Sequence, residues 1–523
     1  MGARSGSLCR RLVRGDAVAT ALLVALAIHP AAADQSGERP ATSDDAKAQQ
    51  SDSGKNTGDQ KNGAKASSSN KDAEAKPKES DDRQSGDADK APSKPAKKPG
   101  ETSSTSDDNL WTRKTLLGDI GPVRPFLAKY GATLNILETD EVLGNVSGGK
   151  SQGAIYEGLT DLSLGIDLRP TLDIRGNIYA RAYQIHGRGL TPTIGSLNEM
   201  SGIEAAATTR LAELWYEQHF DTVRIRIGQQ TVTTDFLNPA TSRLFVNGTF
   251  GWPTLPSLDL PSGGPGFPLG TPAVRLRVDP VEGLTLFTAL FNGDPTGGGV
   301  GASQLLDASG TAFRVGDSAF VISELRYNPD SSDEKGTYRG GGWYNSERFR
   351  DLHFDTNGTS LASPLSNGQA RLHDGNFSLY AVIDQPFLID KNANTSFAAF
   401  GRAMGAPGDR NLVALYLDAG LAYKGPFGRA GDQVGIAAAY ARVGQAARDF
   451  DADVGRFNSQ AYPVRSGEPL LEVTYRFQVT PWLQVQPDFQ YVFNPGGGAA
   501  NPNAPVRRIG DAAVFGLRVA VTL

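Results

Sequence analysis

A period-two alternation of apolar and polar residues recurs from residue 111 to residue 523 and limits what this chain can fold into. In one example, Val274, Leu276 and Val278 alternate with Arg275 and Arg277. Successive side chains of a β-strand point to opposite faces, so each such segment predicts a strand with one apolar and one charged face. The clearest segments are residues 172–183, 223–228, 274–279, 471–479 and 515–523.

These strands fit either a soluble β-sandwich or a transmembrane antiparallel β-barrel. The charged faces favour a barrel around a water-filled lumen, and Gly176, Ala180 and Ala182 on an apolar face would pack poorly in a sandwich core. Closure removes the sheet edges that lipid does not tolerate. The sequence therefore predicts an all-β membrane barrel. A barrel of sixteen strands gives roughly 26 residues for each strand with its connection. The sequence does not decide between sixteen strands and fourteen or eighteen.

The connections support a barrel as well. Short turns are predicted at residues 169–171, 220–222, 279–283 and 480–481, and longer outside loops at 294–305 and 328–336. In the last predicted strand, apolar residues alternate with other residues up to Leu523. This pattern resembles the terminal signal read by the barrel-assembly machinery. Residues 121–129 predict one short helix before the first strand.

The first 110 residues differ in kind from the rest. Residues 1–33 combine arginines, an apolar run at 17–28 and Ala31-Ala32-Ala33, which predicts a removed export signal. Residues 34–109 contain no Leu, Ile, Val, Met, Phe, Tyr or Trp. They cannot bury enough apolar area to fold, so residues 34–110 are predicted to be a disordered periplasmic linker. Its lysines and prolines could contact peptidoglycan, which leaves a cell-wall anchor as an alternative.

Composition excludes several other classes. The chain has 52 basic and 57 acidic residues, which gives no electrostatic basis for binding nucleic acid. Its one cysteine, Cys9, lies within the predicted signal, which excludes disulfide and cysteine–metal frameworks. The histidines lie in no recognisable hydrolase or metalloprotease motif, so no enzyme and no cofactor are expected.

A long insertion between predicted strands is a candidate pore element. Residues 231–272 have weak strand character and many prolines and glycines, yet they carry five aromatic residues, which argues against disorder. A loop of this kind folded into the lumen would narrow it to an eyelet. Arginine can donate in a fork, carboxylates can accept, and aromatic rings can stack on a sugar face. The candidate pore and sugar-binding residues are Glu213, Trp215, Glu217, Arg224, Arg226, Asp235, Trp252, Arg275 and Arg277.

Several motifs, in this order, resemble the carbohydrate-selective porin family, often called OprB-type. They span residues 143–149, 213–218, 226–236, 244–253, 340–344, 373–385, 409–411 and 485–491. The resemblance covers nearly all of residues 111–523. It implies a sixteen-stranded outer-membrane barrel that passes monosaccharides and similar small solutes passively.

The sequence thus predicts a passive outer-membrane channel for mono- and small saccharides, surrounded by outer-membrane lipid. A general diffusion porin and an outer-membrane or cell-wall anchoring protein are the alternatives. The preferred sugar, the oligomeric state and the residues at the narrowest point are left open by the sequence.

Overall fold

A computed structural model describes residues 109–329 and 335–523 of the chain. The predicted export signal and all but the last two residues of the predicted linker lie outside these residues. The described part forms a closed barrel of sixteen antiparallel strands, which confirms the predicted fold class and strand number. No helix among the described residues is long and apolar enough to span a bilayer.

The strands are named in chain order, and β16 and β17 form a small hairpin outside the barrel. Their bounds are β1 Ala132–Gly149, β2 Gly153–Asp167, β3 Gly176–Gly187, β4 Thr208–His219, β5 Val223–Gln230, β6 Thr271–Val281, β7 Leu284–Asn292, β8 Ala319–Tyr327, β9 Thr337–Asp355, β10 Ala370–Asp390, β11 Thr395–Gly405, β12 Val413–Lys424, β13 Gln433–Val443, β14 Gly467–Thr480, β15 Leu483–Val492, β16 Ala500–Asn501, β17 Ala504–Arg508 and β18 Gly510–Thr522. Each barrel strand pairs with its neighbours in sequence, and β18 pairs with β1 to close the barrel.

The α-helices are α1 Val123–Ala128, α2 Arg169–Leu172, α3 Thr191–Ile194, α4 Thr254–Asp259, α5 Gln445–Phe457 and α6 Pro495–Gly498. The predicted helix before the first strand is confirmed as α1. The single-turn 3₁₀ helices are Val232–Thr234, Thr241–Leu244, Gly248–Phe250, Gln304–Asp307 and Pro426–Gly428.

The connections divide between two ends of the barrel. The turn end carries residues 109–131, the last residue, the connections 168–175, 220–222, 282–283, 391–394, 425–432 and 481–482, and the described residues 328–329 and 335–336. The loop end carries the connections 188–207, 231–270, 293–318, 356–369, 406–412, 444–466 and 493–509, as well as the tight turn before β2. Bacterial barrels have short periplasmic turns and long outer loops, which assigns the turn end to the periplasm.

Two sequence predictions are corrected here. The predicted strand over residues 172–183 is wrong at its start, because Leu172 ends helix α2 and Asp173 adopts a left-handed conformation at φ 58°. β3 therefore begins at Gly176. Residues 328–329 and 335–336, predicted as parts of an outer loop, lie at the turn end, since β8 ends and β9 begins there.

The alternation places charge inside and apolar groups outside. In β5 and β6, the exposed Ile227 and Val274 face outward, while Arg226 and Arg275 are buried inside the barrel. Exposed aromatic residues lie near both ends of the outer wall, as in the interfacial girdles of outer-membrane barrels. Examples are Tyr216, Tyr327 and Tyr338 toward the turn end and Tyr344, Phe377 and Phe515 toward the loop end.

Candidate functional site: a constriction inside the barrel

The connection of residues 231–270, named here the inward segment, leaves the wall at β5 and rejoins it at β6. Between these points its backbone contacts inward-facing side chains of strands across the barrel. The Leu237 N–H donates to Glu324 of β8 at 3.1 Å, and the Val246 N–H donates to Glu472 of β14 at 2.6 Å. The segment therefore crosses the lumen, as the sequence predicted for this insertion.

Arg402 of β11 is the centre of this attachment. Its guanidinium forms an ion pair with Asp418 of β12, and both side chains are fully buried. The same guanidinium donates to the carbonyl oxygens of Leu237 and Thr249 of the inward segment, each at 2.8 Å. Because the charge of Arg402 is balanced by Asp418 and its remaining donors are used, this buried pair fixes two points of the segment at once.

The beginning of the inward segment is held by a ring of four charged groups. Glu217 Oε2 accepts from Arg226 Nε at 3.0 Å and from Arg275 Nη2 at 2.6 Å. Asp235 Oδ2 accepts from Arg226 Nη1 at 2.8 Å and from Arg275 Nε at 3.1 Å. Three of the groups come from β4, β5 and β6, and Asp235 comes from the segment. The ring is largely buried, with Arg275 only 2% exposed, so its main contacts are internal.

Aromatic and arginine side chains lie next to one another along the inner wall beside this ring. The Arg226 guanidinium lies 3.9 Å from the centre of the Trp215 ring, and Trp215 stacks on Tyr179 with ring centres 5.0 Å apart. Farther along, the Arg326 guanidinium lies 4.0 Å from the centre of the Phe287 ring. The six members of this aromatic–arginine belt, one from each strand β3 to β8, are Tyr179, Trp215, Arg226, Arg275, Phe287 and Arg326.

A cavity of about 530 Å³ lies between the inward segment and strands β1–β3. It is named here the passage, as the candidate route for solutes. On the wall side Arg181 Nε donates to Asp161 at 2.9 Å, and on the segment side the exposed Arg243 donates to Asn238 at 3.2 Å. Its polar and aromatic lining includes Thr139, Asp161, Arg181, Tyr183, Glu199, Asn238, Arg243 and Trp252.

Glu199, on the connection between β3 and β4, is an acidic group in the lining of this passage. Burial raises the pKa of the Glu199 carboxyl well above its ordinary value, and the nearby Glu204 carboxyl raises it further. A raised pKa means that Glu199 takes up a proton more readily than a carboxyl in water does.

The structure distributes the predicted pore residues over three places. Glu217, Arg226, Asp235 and Arg275 form the buried ring, and Trp215 lies beside it and donates to Glu213 at 3.0 Å. Arg224 and Arg277 lie opposite each other in the β5–β6 register. Arg277 lines a second cavity of about 480 Å³ near the turn end. Trp252 is 5% exposed and donates to the Gly263 carbonyl at 2.8 Å, so most of its ring packs within the inward segment.

Four residues of the constriction were not among the sequence candidates: Asp161, Arg181, Arg243 and Arg402. The alternation places Asp161, Arg181 and Arg402 on inward faces, so it could have included them. Arg243 lies in a segment without a regular pattern, and its position inside the lumen depends on how that segment folds.

A larger concavity, of about 1070 Å³, lies elsewhere. It is formed on the outer wall by strands β8–β14, over small residues such as Gly340, Ala381 and Ala403, with Tyr338 and Tyr440 among its lining. This groove belongs to the lipid-facing surface and is not part of the passage.

A closed sixteen-stranded barrel with apolar outer faces, a charged lumen and a connection folded across that lumen defines an outer-membrane porin. The profile described as "Carbohydrate-selective porin, OprB family" matches residues 151–523. The chain belongs to this family, and it is an outer-membrane channel for carbohydrates.

Individual relatives agree with this assignment at low identity. The chain is similar to "Porin B" of Pseudomonas aeruginosa PAO1, with 24% identity over 433 residues, covering 77% of this chain and 91% of that protein. It is also similar to "Putative porin QuiX" of Acinetobacter baylyi, with 23% identity over 446 residues, covering 78% and 94%. Among solved structures, the high-pH structure of Pseudomonas putida OprB matches the fold with a TM-score of 0.68 and 23% identity, covering 79% of this chain and 99% of that one.

Proposed function

We propose that the passage between the inward segment and strands β1–β3 selects mono- and small saccharides, which cross it by passive diffusion. The observation that carries this proposal is the arrangement of polar groups on both sides of the passage. The Arg181–Asp161 pair faces it from the wall and Arg243 faces it from the segment. Weak contacts of this kind favour entry of a solute without preventing its exit.

The lining suits the two kinds of surface that a sugar presents. Paired hydroxyl groups can accept from the forked donors of Arg181 and Arg243 and can donate to Asp161. The apolar C–H face of the sugar can pack on an aromatic ring, which the half-buried Phe267 offers in the passage. In the aromatic–arginine belt, Trp215 and Tyr179 remain partly exposed and offer further ring surface.

The proposal is tested by liposome swelling with purified protein. Entry of neutral monosaccharides and disaccharides is compared with entry of a polyethylene glycol of similar size. We expect Arg243→Ala and Asp161→Asn each to change sugar entry several-fold while leaving polyethylene glycol entry nearly unchanged. Arg348→Ala is the matched control, because Arg348 is highly exposed and pairs only loosely with Asp374 at 3.5 Å.

If the wild-type channel admits sugars and polyethylene glycol equally, and neither lumen variant changes the ratio, the passage is a general diffusion pore. A changed ratio in the Arg348→Ala control would equally remove the assignment to the passage.

We further propose that residues 34–110 form a periplasmic linker that contacts the cell wall. The support is its composition, which is rich in lysine, serine and proline and nearly free of apolar residues. Deleting residues 34–108 should leave sugar uptake intact and reduce recovery of the protein with isolated peptidoglycan. Unchanged recovery with peptidoglycan would remove the cell-wall contact.

A further inference from the structure

Three side chains with metal-ligating atoms converge on the outer surface of the wall, away from the lumen. They are Glu138 and Asp140 of β1 and His186 of β3. The strand alternation fixes their direction, because Thr139 and Glu141 between and beside them are buried inside the barrel. Val142, on the same face as Glu138 and Asp140, is 52% exposed on the outer wall. The three groups therefore point away from the passage.

The donor atoms of this outer-wall cluster lie close together. His186 Nε2 is 3.6 Å from Asp140 Oδ1 and 3.9 Å from Glu138 Oε1. One ligand atom from each residue lies within 4.8 Å of the other two. Small side-chain movements would bring one nitrogen and two carboxylate oxygens onto a single cation.

Neighbouring side chains orient the imidazole for this arrangement. Gln184 Oε1 lies 3.0 Å from His186 Nδ1 and, as an amide oxygen, can only accept, so Nδ1 carries the proton. Nε2, on the other side of the ring, faces the two carboxylates and lies 3.0 Å from the Tyr156 hydroxyl oxygen. The single proton of the Tyr156 hydroxyl is donated to Asp140 at 2.5 Å. A hydrogen bond that fixes the distal imidazole nitrogen is typical of metal-binding histidines.

A glycine leaves room for the cluster against the wall. Gly158 of β2 lies between Asp140 and His186 in the strand register. A Cβ atom at this position would lie 2.2 Å from His186 Nε2 and 2.9 Å from Asp140 Oδ1. The ring can reach the carboxylates only because this position has no side chain.

The apolar surroundings of the cluster favour the binding of a cation. In the register of β1 with β18, Glu138 lies opposite Val521 and Asp140 opposite Val519. Two carboxylates beside apolar residues on the lipid-facing side of a membrane barrel are unfavourable unless their charge is balanced. A divalent cation balances both.

We propose that Glu138, Asp140 and His186 form a binding site for a divalent first-row transition-metal ion such as Zn²⁺. One imidazole nitrogen together with carboxylate oxygens suits such ions better than Ca²⁺ or Mg²⁺, which prefer oxygen ligands alone. Three protein ligands leave at least one coordination position for water. The site is separate from the sugar passage, and sugar transport does not depend on it.

The test uses the untagged full-length protein in detergent after treatment with a chelator. Isothermal titration with Zn²⁺ should show one ion bound per chain, and Co²⁺ should give the visible absorption of a low-coordinate nitrogen–oxygen site. His186→Ala and Asp140→Asn should each weaken binding at least 100-fold. Gln184→Leu, which removes only the partner of Nδ1, should weaken it about 10- to 100-fold.

His353→Ala is the matched control, since among the described residues that imidazole forms an ion pair with one carboxylate, Asp453, at 2.8 Å toward the loop end. Folding of every variant is checked by circular dichroism and by resistance to heat on gels. Absence of saturable Zn²⁺ binding, or binding that His186→Ala leaves unchanged, would overturn the proposal. It would also be overturned by metal-free oligomers that dissociate in Asp140→Asn, which would assign this face to a second copy of the chain.

Discussion

Two regions of the inner wall use the same kinds of side chain for different purposes. On strands β8–β15, inward carboxylates such as Glu324 and Glu472 are buried and accept backbone N–H groups of the inward segment. On strands β1–β3, Asp161 pairs with an arginine of the neighbouring strand beside an open cavity. The first region, the attached wall, fixes the shape of the channel. The second, the free wall, presents its polar groups to solutes.

The difference shows that charge in a lumen does not by itself mark a solute-binding group. A buried carboxylate whose oxygens are occupied by the segment has no capacity left for a sugar hydroxyl. The contrast between the attached and the free wall can be tested by substitutions that act on one of them alone.

The largest effect is expected from removal of residues 521–523. Val521 pairs with Glu138 of β1, and the Leu523 N–H donates to the Ile136 carbonyl at 2.9 Å. Without these residues, the β1–β18 pairing that closes the barrel loses its final residue pairs. The terminal signal for the assembly machinery is also shortened. We expect little heat-resistant barrel in the membrane fraction. Normal insertion of the truncated chain would contradict this interpretation of the last strand.

Arg402→Ala should detach part of the inward segment from the attached wall. It leaves Asp418 buried without its partner, which typically costs about 3–5 kcal/mol. We expect a lower unfolding temperature and a larger single-channel conductance, measured in planar bilayers. Arg314→Ala is the control, because its exposed pair with Asp317 contributes only about 0–1 kcal/mol. Equal conductance of the wild type and Arg402→Ala would show that the segment is held by other contacts.

A pair of isosteric substitutions sharpens the comparison. Glu472→Gln removes a charged acceptor from the Val246 and Asn247 N–H groups and should cost about 1–3 kcal/mol of unfolding free energy. Asp161→Asn, on the free wall, should change stability less and sugar entry more. Chemical unfolding and liposome swelling measure the two effects. If both variants change the same property, the attached wall and the free wall do not have different roles.

A smaller effect is expected in the aromatic–arginine belt. Trp215→Ala and Arg226→Ala should alter the ratio of sugar uptake rates by a few-fold without preventing barrel assembly. The reason is that each removes one member of the stacked contact at 3.9 Å between guanidinium and indole. Uptake kinetics across a sugar panel provide the measurement. If both variants transport every sugar like the wild type, the belt has only a structural role.

The barrel could be predicted from the sequence because the alternation of apolar and polar residues shows directly which side chains face lipid. Arg226 and Arg275 could be placed inside from their neighbours alone, and residues 231–272 stood out by lacking the pattern. The contact of both arginines with Asp235 could not be predicted, because it depends on how the inward segment folds. The same holds for Arg402, which meets Leu237 and Thr249 only once the segment crosses the lumen. Helix α5 was missed for a related reason. It lies on a loop-end connection, where no periodicity imposed by the membrane identifies it.

The attachment of the inward segment has a consequence for how this channel could diversify. The attached wall binds the segment through main-chain N–H and carbonyl groups, which every residue except proline carries in full. Side chains such as Arg243 and Asn238 take no part in that attachment to the wall carboxylates. They can therefore be exchanged with little penalty to the scaffold, and the inward segment offers a place where evolution or design could retune the preferred solute.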